Sequence, residues 1–169
     1  FQQSELFPEY NGKVIDFDYS LIRPAGSRLS SCSGKAPGPV PLQNALLKIK
    51  TLLDRCLEQG LSKIRPIHAY DIVMFSADAV ISGGIRRSAT LCMFSHDDEE
   101  MCKAKTGNWF NENPQRGRSN NSAVLVRDEI TAEEFSSVIK NTREFGEPGF
   151  IFVSNLEQLF NPCVEINLY

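Results

Sequence analysis

Hydrophobic residues recur with a helical period in the first half of the chain. One stripe ends before Gly60 and consists of Leu42, Ala45, Leu46, Ile49, Leu52, Leu53, Cys56 and Leu57. A second stretch, from Pro66 to Ser82, is apolar on almost every side, with Asp71 and Asp78 as interruptions. We therefore predict two helices, the second heavily buried and ended by the glycines at 83 and 84.

Four short apolar runs predict strands. They are "KVIDF" at 13–17, "RRSATLCMF" with its strand at 87–94, "SAVLV" at 122–126 and "FIFV" at 150–153. The last run contains no polar residue, which is typical of a strand buried on both faces.

Two more helices and two loops complete the pattern. Residues 97–105 are acidic at the start and basic at the end, as the helix dipole favours. Residues 131–145 open with a capping box of Thr131 and Glu134, and Gly146 ends them. The ranges 23–41 and 107–121 are predicted as loops. Strands that alternate with helices predict an α/β fold with a largely parallel sheet, in one domain or one part of a larger domain.

Composition and charge narrow the possible functions. The 169 residues are 41% hydrophobic and 23% charged, which is ordinary for a globular chain. The net charge of −3 provides no basic field for nucleic acid or an anionic membrane. No apolar run approaches the roughly 18 residues that span a bilayer, and no signal peptide opens the chain. We expect a cytoplasmic protein.

The cysteines do not form a metal-binding pattern. They stand at 32, 56, 92, 102 and 163 without a CxxC, and neither His68 nor His96 has zinc-ligand spacing to a cysteine pair. We expect no zinc and a reducing compartment. Both histidines are interpreted as structural, and Cys32 as a small loop residue.

The final stretch, "NPCVEI", alternates Asn161, Cys163 and Glu165. In an extended or tight-loop conformation these side chains could share one side. The amide could orient a hydroxyl-bearing substrate and the carboxylate could act as a general base. A carboxylate disfavours a nearby thiolate, so the pattern favours a neutral thiol or hydrogen-atom donor over a papain-like nucleophile. The same spacing also fits a strand end with one buried cysteine and polar surface residues.

Three other segments offer polar groups, each with an ordinary alternative. "GGIRRSA" at 83–89 has the glycines and arginines of a phosphate contact, or of a helix end followed by surface arginines. "SGKAPGP" at 33–39 is no P-loop and also fits a plain connection. "NPQRGRSNNS" at 113–122 fits either a pocket lining or a solvated loop.

Together these segments resemble the ribonucleotide reductases. "NPCVEI" looks like their finger-loop motif, and "RPAGSR", "SGKAPGPVPL", "GGIRRSA", "NPQRGRSNNS" and "EFGEPGFIF" are similar to family segments in the expected order. The "RRSA", "RSNNS" and "NPC" forms resemble the adenosylcobalamin-dependent (class II) branch. Some phage reductases close to that branch use a separate metal-containing radical subunit, so the radical source stays open.

The resemblance implies a fold and a set of catalytic roles. The fold would be a ten-stranded α/β barrel of two five-stranded parallel half-sheets, with the finger loop entering the centre. Cys163 would carry the thiyl radical that abstracts the 3′-hydrogen of the ribose. Glu165 would take the 3′-hydroxyl proton, and Asn161 would hydrogen-bond the substrate hydroxyls.

The resemblance also implies binding residues and partners. Effector or substrate contacts would come from Gly34, Lys35, Gly83, Gly84, Arg86, Arg87, Asn120, Asn121 and Ser122. The cofactor would be adenosylcobalamin, or none in this chain if a di-metal subunit makes the radical. The nucleotide ligands would be a ribonucleotide substrate and dNTP or ATP effectors. The protein partners would be a thioredoxin- or glutaredoxin-type reductant and a second copy of the chain in a homodimer.

The resemblance covers only the central part of a catalytic barrel. The family's reducing cysteine pair and its substrate-phosphate loop would lie outside residues 1–169, so we expect a single domain that is incomplete at both ends and inactive alone. Two other classes stay open: a non-catalytic nucleotide-binding module, and a structural half of a split reductase.

Overall fold

The structure is a computed structural model that describes residues 7–30, 34–82, 85–86 and 88–168, without the side chains of 81–82, 85–86 and 168. Its α-helices are α1 (Val40–Glu58), α2 (Pro66–Ala79), α3 (Glu99–Cys102), α4 (Trp109–Glu112) and α5 (Ala132–Phe145). Its strands are β1 (Ile81–Ser82), β2 (Ile85–Arg86), β3 (Thr90–Ser95), β4 (Ser119–Val126), β5 (Gly149–Val153), β6 (Leu159–Phe160) and β7 (Asn167–Leu168). Short 3₁₀ turns lie at Pro8–Tyr10 and Pro114–Arg118.

A three-stranded parallel sheet forms the centre of the molecule, in the order β3-β4-β5. Thr90 pairs with Ser119 at one side of β4, and Ser122 pairs with Gly149 at the other. Helices α3 and α4 lie in the β3–β4 connection and α5 lies in the β4–β5 connection, as parallel pairing requires. The predicted α/β class with a parallel sheet is confirmed; the three described strands do not by themselves form a barrel.

The two faces of this sheet have different coverings. On one face, Phe94 packs against two groups of buried residues. The first group comes from α2 and the region of α3 and consists of Ile67, Tyr70, Met74, Met101 and Ala104. The second group comes from β4 and α5 and consists of Ala123, Leu125 and Val138. On the other face, Val124, Ile151 and Val153 form a cluster that is covered by the chain around Phe160 and Val164. The second face therefore holds the C-terminal segment.

The helix predictions hold best where periodicity and end signals agree. Helix α1 ends before Gly60, as predicted, but it begins at Val40, within the range 23–41 that was predicted as loop. Helix α5 has the predicted capping box: Thr131 Oγ1 accepts from Glu134 N, and Glu134 Oε2 accepts from Thr131 N. Gly146 ends α5 with a φ of 77°, a left-handed conformation that glycine adopts without strain.

Helix α2 is shorter than predicted. It ends at Ala79, and the chain then pairs Ile81 with Arg86 in the β1–β2 hairpin. It is also buried on one face only, since Val73 is 52% exposed. The glycines at 83 and 84, predicted to end it, lie outside the described residues. Helix α3 is likewise shorter than the predicted range 97–105.

The predicted strand at 13–17 is wrong. The structure has no strand there, and Val14 is 89% exposed. The backbone N–H groups of Phe17 and Ser20 donate to the carboxylates of Asp16 and Asp18, at 2.9 and 2.8 Å. Such local side-chain bonds compete with a strand ladder.

The predicted loop at 107–121 is mostly structured. It contains α4, a 3₁₀ turn and the first residues of β4, so the polar run Ser119–Asn121 is strand and not loop. The strand predicted at 87–94 is instead Thr90–Ser95. In the rest of 23–41, before α1, the described residues carry one bridge, Arg28 with Lys35, and no longer element.

The prediction that β5 is buried on both faces is also wrong for the residues that the structure describes. Ile151 and Val153 are buried, but Phe150 and Phe152 on the opposite face are 38% and 37% exposed. The ring of Phe135 covers them only in part, with ring centroids 5.2 and 5.5 Å apart.

Within the described ranges, no helix combines the length and apolar character that crossing a bilayer requires.

Candidate active site

The "NPCVEI" segment forms a closed turn between β6 and β7. These two strands pair antiparallel, with Phe160 opposite Asn167. Asn161 closes the turn: its N–H donates to Ile166 O at 3.2 Å, and its Oδ1 accepts from Ile166 N at 2.8 Å. Its carbonyl also accepts from Val164 N at 2.9 Å. The segment is therefore a compact turn, and not the plain strand end that the spacing left open.

Val164 attaches this turn to the sheet. It has a φ of 67°, which is unusual for a β-branched residue. Its side chain packs on the cluster of Val124, Ile151 and Val153. Cys163 and Glu165, on either side of it, are exposed. Packing of the middle residue thus leaves the thiol and the carboxylate free to meet a substrate.

A second attachment comes from β4. Asn120 Nδ2 donates to the carbonyl of Pro162 at 3.0 Å. Asn120 thus touches the turn through the residue that precedes Cys163. Asn120 is thus a predicted binding residue that the structure brings into hydrogen-bond contact with the candidate catalytic segment.

Asn121 and Ser122 have different surroundings. Strand alternation puts Ser122 on the same face as Asn120, where its Oγ lies against Gly149 and the residue is buried. Asn121 is on the opposite face and only 2% exposed. Its Oδ1 accepts from Tyr70 Oη at 3.0 Å and from Ser119 Oγ at 2.7 Å. Asn121 is therefore part of the interior, away from the turn.

The amide of Asn161 has a defined orientation. Because its Oδ1 accepts from Ile166 N, the group that it can offer to a ligand is the Nδ2 donor. An N–H donor suits the oxygen of a substrate hydroxyl. The predicted triad is thus present as one amide donor, one exposed thiol and one exposed carboxylate on a single turn.

The cysteines differ in accessibility. Of those that the structure describes, Cys163 is exposed, Cys92 is half-buried, and Cys56 and Cys102 are buried. Burial raises the pKa of Cys92 to about 11 and also raises the pKa of Cys102. Cys56 Sγ lies 3.3 Å from His68 Nδ1. Cys163 is therefore the described thiol best placed to react with a molecule from solution.

The predicted effector residues lie on other elements. Arg86 is in β2, next to the end of α2, while Gly83, Gly84 and Arg87 lie outside the described residues. Gly34 and Lys35 lie before α1, where Gly34 O accepts from Leu29 N at 3.2 Å. Cys32 also lies outside the described residues. The described residues of these groups, Arg86 in β2 and Gly34 and Lys35 before α1, thus belong to other elements than the turn of Cys163.

A buried polar network on α2 was missed by the sequence reasoning. Asp71 is 5% exposed and accepts from Arg116 Nε and Nη2 at 2.8 and 2.7 Å, and from Gln115 Nε2 at 3.0 Å. Arg116 Nη1 also donates to Ala104 O at 2.8 Å. Next to it, burial raises the pKa of Tyr70 to about 12. The available signal was an aspartate interrupting an otherwise apolar helix, since a buried charge needs a partner.

The network joins α2 to the start of β4, the strand that carries Asn120. Arg118 Nε also donates to Asp78 Oδ1 at 2.5 Å. Asp78 lies two helical turns beyond Asp71 in α2. The position of Asn120 is therefore set by a rigid, hydrogen-bonded junction.

A cavity of about 540 Å³ lies between α1, α2 and residues 112–115. Its lining includes the basic side chains of Lys48, Arg55 and Arg65 together with His68. None of its lining residues belongs to β4, β5 or the turn of Cys163. The candidate active site is thus a surface turn, distinct from this cavity.

The sequence is similar to adenosylcobalamin-dependent ribonucleoside-triphosphate reductases. Identity to the protein from Euglena gracilis is 30% over 176 residues, covering 91% of this chain and 22% of that protein. Identity is 31% with the protein from Lactobacillus leichmannii, covering 85% of this chain and 18% of that protein. For Lacticaseibacillus paracasei the values are 34%, 89% and 19%.

The chain thus spans about a fifth of the length of the curated relatives it matches. No family model matches it, and no solved structure matches it significantly.

Proposed function

We propose that this chain, a homologue of the adenosylcobalamin-dependent ribonucleoside-triphosphate reductases over about a fifth of their length, is the part of such a reductase that carries the radical cysteine. The observation that carries the proposal is the turn at 161–166. It holds an exposed thiol between an oriented amide and an exposed carboxylate, against one face of a parallel sheet.

In this proposal the turn catalyses removal of the ribose 2′-hydroxyl. A thiyl radical on Cys163 takes the 3′-hydrogen atom, so the C3′–H bond breaks and an S–H bond forms. Glu165 accepts the proton of the 3′-hydroxyl, and Asn161 Nδ2 donates to a substrate hydroxyl oxygen. Two further cysteines outside this chain supply two electrons and two protons: one proton lets the 2′-hydroxyl leave as water, the other hydrogen is added at C2′, and the two thiols become a disulfide. Glu165 returns its proton to the 3′-oxygen, and Cys163 returns the hydrogen atom to C3′, which regenerates the thiyl radical.

The cofactor proposed for the complete reductase is adenosylcobalamin. When bound, it supplies a carbon-centred radical. Cys163 fits this chemistry because an exposed thiol can give up a hydrogen atom to a carbon radical that reaches it. We assign no corrin-binding residues within this chain. A di-metal radical subunit, with no cofactor in this chain, is the alternative radical source and leaves the roles at 161–165 unchanged.

The proposed fold is part of a ten-stranded α/β barrel of two five-stranded half-sheets, and residues 1–169 would be one incomplete domain. Support comes from the sheet: among the described residues, β3 and β5 each pair on one side only. The half-exposed Phe150 and Phe152 also suggest that further structure covers them. The remaining barrel segments, in the same polypeptide or a partner chain, would supply that cover.

The proposed ligands are a ribonucleotide substrate and a dNTP or ATP effector. Effector or substrate contacts are assigned to Gly83, Gly84, Arg86 and Arg87 with Gly34 and Lys35. Asn120, Asn121 and Ser122 are not assigned to the substrate, because Asn120 bonds Pro162 O and the other two residues are buried. A thioredoxin- or glutaredoxin-type reductant and a second copy of the chain are the proposed protein partners.

The test is ribonucleotide reduction by the complete reductase polypeptide that contains this chain, with adenosylcobalamin and a dithiol. Cys163→Ser is compared with Cys56→Ser, a buried cysteine on the helix side. We expect Cys163→Ser to abolish turnover and Cys56→Ser to keep most of it. Turnover only with a metal-loaded subunit would move the chain to the metal-dependent branch.

Nucleotide binding without turnover would overturn the catalytic assignment and favour a nucleotide-binding module. Turnover that survives Cys163→Ser and requires a partner chain would favour a structural half of a split reductase.

A further inference from the structure

The contacts that hold the turn of Cys163 on the sheet come from its neighbours in the chain, Pro162 and Val164. The Cys163 side chain is exposed, and the residues on either side of it make the contacts with the sheet. Pro162 O accepts from Asn120 Nδ2 at 3.0 Å, and the Val164 side chain packs on Val124, Ile151 and Val153. The direction of the thiol therefore depends on two contacts that involve neither the thiol nor the carboxylate.

The backbone at Val164 needs this support. A β-branched residue at a φ of 67° is strained and persists only where the surroundings impose it. The surroundings here are the packed Val164 side chain and the hydrogen bond from Val164 N to Asn161 O at 2.9 Å. If the apolar contact is lost, the backbone is free to relax toward a more common φ and Cys163 turns with it.

Asn120 restrains the other side of Cys163. Its side chain starts from β4, where Asn120 pairs with Leu91 of β3 and the pairing with β5 begins two residues later at Ser122, so the donor is attached to the sheet. Its acceptor, Pro162, follows the Asn161 residue that closes the turn. One hydrogen bond from the sheet thus fixes the entry to the tip of the turn, and Val164 fixes the exit.

We propose that Asn120 and Val164 are positioning residues that hold Cys163 in its reactive orientation from the two sides. The proposal rests on the proposed function for its catalytic meaning. It assigns Asn120 to the backbone of the turn and not to a nucleotide. Asn120 and Val164 act through Pro162 and through the backbone of Cys163, without touching substrate.

The test compares Asn120→Ala and Val164→Ala in the complete reductase polypeptide. The matched control is Asn111→Ala, which removes another exposed asparagine donor, one that bonds Asn108 Oδ1 at 2.7 Å far from the turn. Three quantities are measured: kcat and KM separately, the hydrogen exchange rates of the Val164 and Ile166 amides, and the alkylation rate of Cys163 by iodoacetamide.

We expect both variants to lower kcat, by about 2- to 12-fold for the loss of one hydrogen bond in Asn120→Ala. KM should change less than twofold, since no substrate contact is removed. Exchange at Val164 and Ile166 should accelerate by a similar factor in the same variants, and the alkylation rate of Cys163 should change. Asn111→Ala should match the unmodified protein in all three.

Unchanged amide exchange and unchanged alkylation in both variants would overturn the proposal, whatever the activity. A higher KM with unchanged kcat in Asn120→Ala would also overturn it and return Asn120 to a substrate contact. If the unmodified polypeptide shows no reductase activity but the exchange rates respond as expected, the proposed function fails while the positioning roles stand.

Discussion

Burial divides the titratable side chains of the interior from the exposed ones on the candidate turn. The thiol of Cys92 and the phenol of Tyr70 are both mostly removed from water, and burial raises their pKa values to about 11 and about 12. Both groups lie on the helix-covered side of the sheet, in the same cluster. Their neutral forms are therefore part of the folded state.

From these pKa values we expect the chain to lose stability in alkaline solution. Above pH 9 the unfolded chain releases the Cys92 proton while the folded chain keeps it until about pH 11, so the free energy of unfolding falls as pH rises. Tyr70 adds the same trend from about pH 10 to 12. Each group contributes at most about 1.4 kcal/mol per pH unit, less where water reaches it.

Urea denaturation at pH 8 to 11 checks this expectation. Cys92→Ala should flatten the dependence above pH 9, and Tyr70→Phe should flatten it above pH 10. If all three proteins have parallel curves, the ionisation of these two groups does not control alkaline stability.

At the scale of elements, α2 is joined to the sheet by charge as well as by apolar packing. Asp71 and Arg116 form a nearly buried pair, with side chains 7% and 13% exposed. By contrast, Lys50 and Asp54 form a pair along α1 that is 71% and 48% exposed. Both pairs join a carboxylate to a basic side chain, but the first is buried and the second is exposed to solvent.

We expect Asp71→Ala to lower the free energy of unfolding by about 3 kcal/mol, because it leaves the Arg116 guanidinium buried with only the Ala104 carbonyl as a described partner. Asp54→Ala, the matched removal of an exposed carboxylate, should cost less than about 0.5 kcal/mol. Urea denaturation of both variants is the measurement. Equal losses would mean that the buried pair is not a stabilising junction.

At the scale of the whole molecule, the described part of the sheet has open sides. Strands β3 and β5 each have one unpaired edge among the described residues, and Phe150 and Phe152 remain over one third exposed. Open edges and exposed aromatic rings favour association with other chains.

We expect the isolated chain to self-associate as its concentration rises. A charge on the β5 face, in Phe152→Lys, should reduce that association, whereas Val14→Lys, at an 89% exposed position outside the sheet, should not. Sedimentation velocity over a concentration series is the measurement, with circular dichroism to check folding. A monomer at all concentrations in every variant would contradict an exposed interface on β5.

What the sequence determined by itself is local. The stripe of α1 and the capping box of α5 each lie within a few helical turns, so neighbouring residues carry the whole signal. The parallel α/β class followed from the alternation of such segments. The residue types of "NPCVEI" likewise predicted this segment as the catalytic one, and that remains a prediction.

The tertiary structure decided whatever depends on residues far apart in the chain. Val14 and its neighbours have the composition of a strand but lack a pairing partner among the described residues, and β5 is only partly covered on the face of Phe152. Asn120 and Asn121 have the same side chain, yet strand alternation points one to the turn of Cys163 and the other into the interior. The left-handed φ of Val164 depends in the same way on the cluster beneath it. Strand pairing, side-chain orientation and side-chain packing all depend on contacts between segments that are distant in the chain. A short window of sequence does not contain both partners of such a contact.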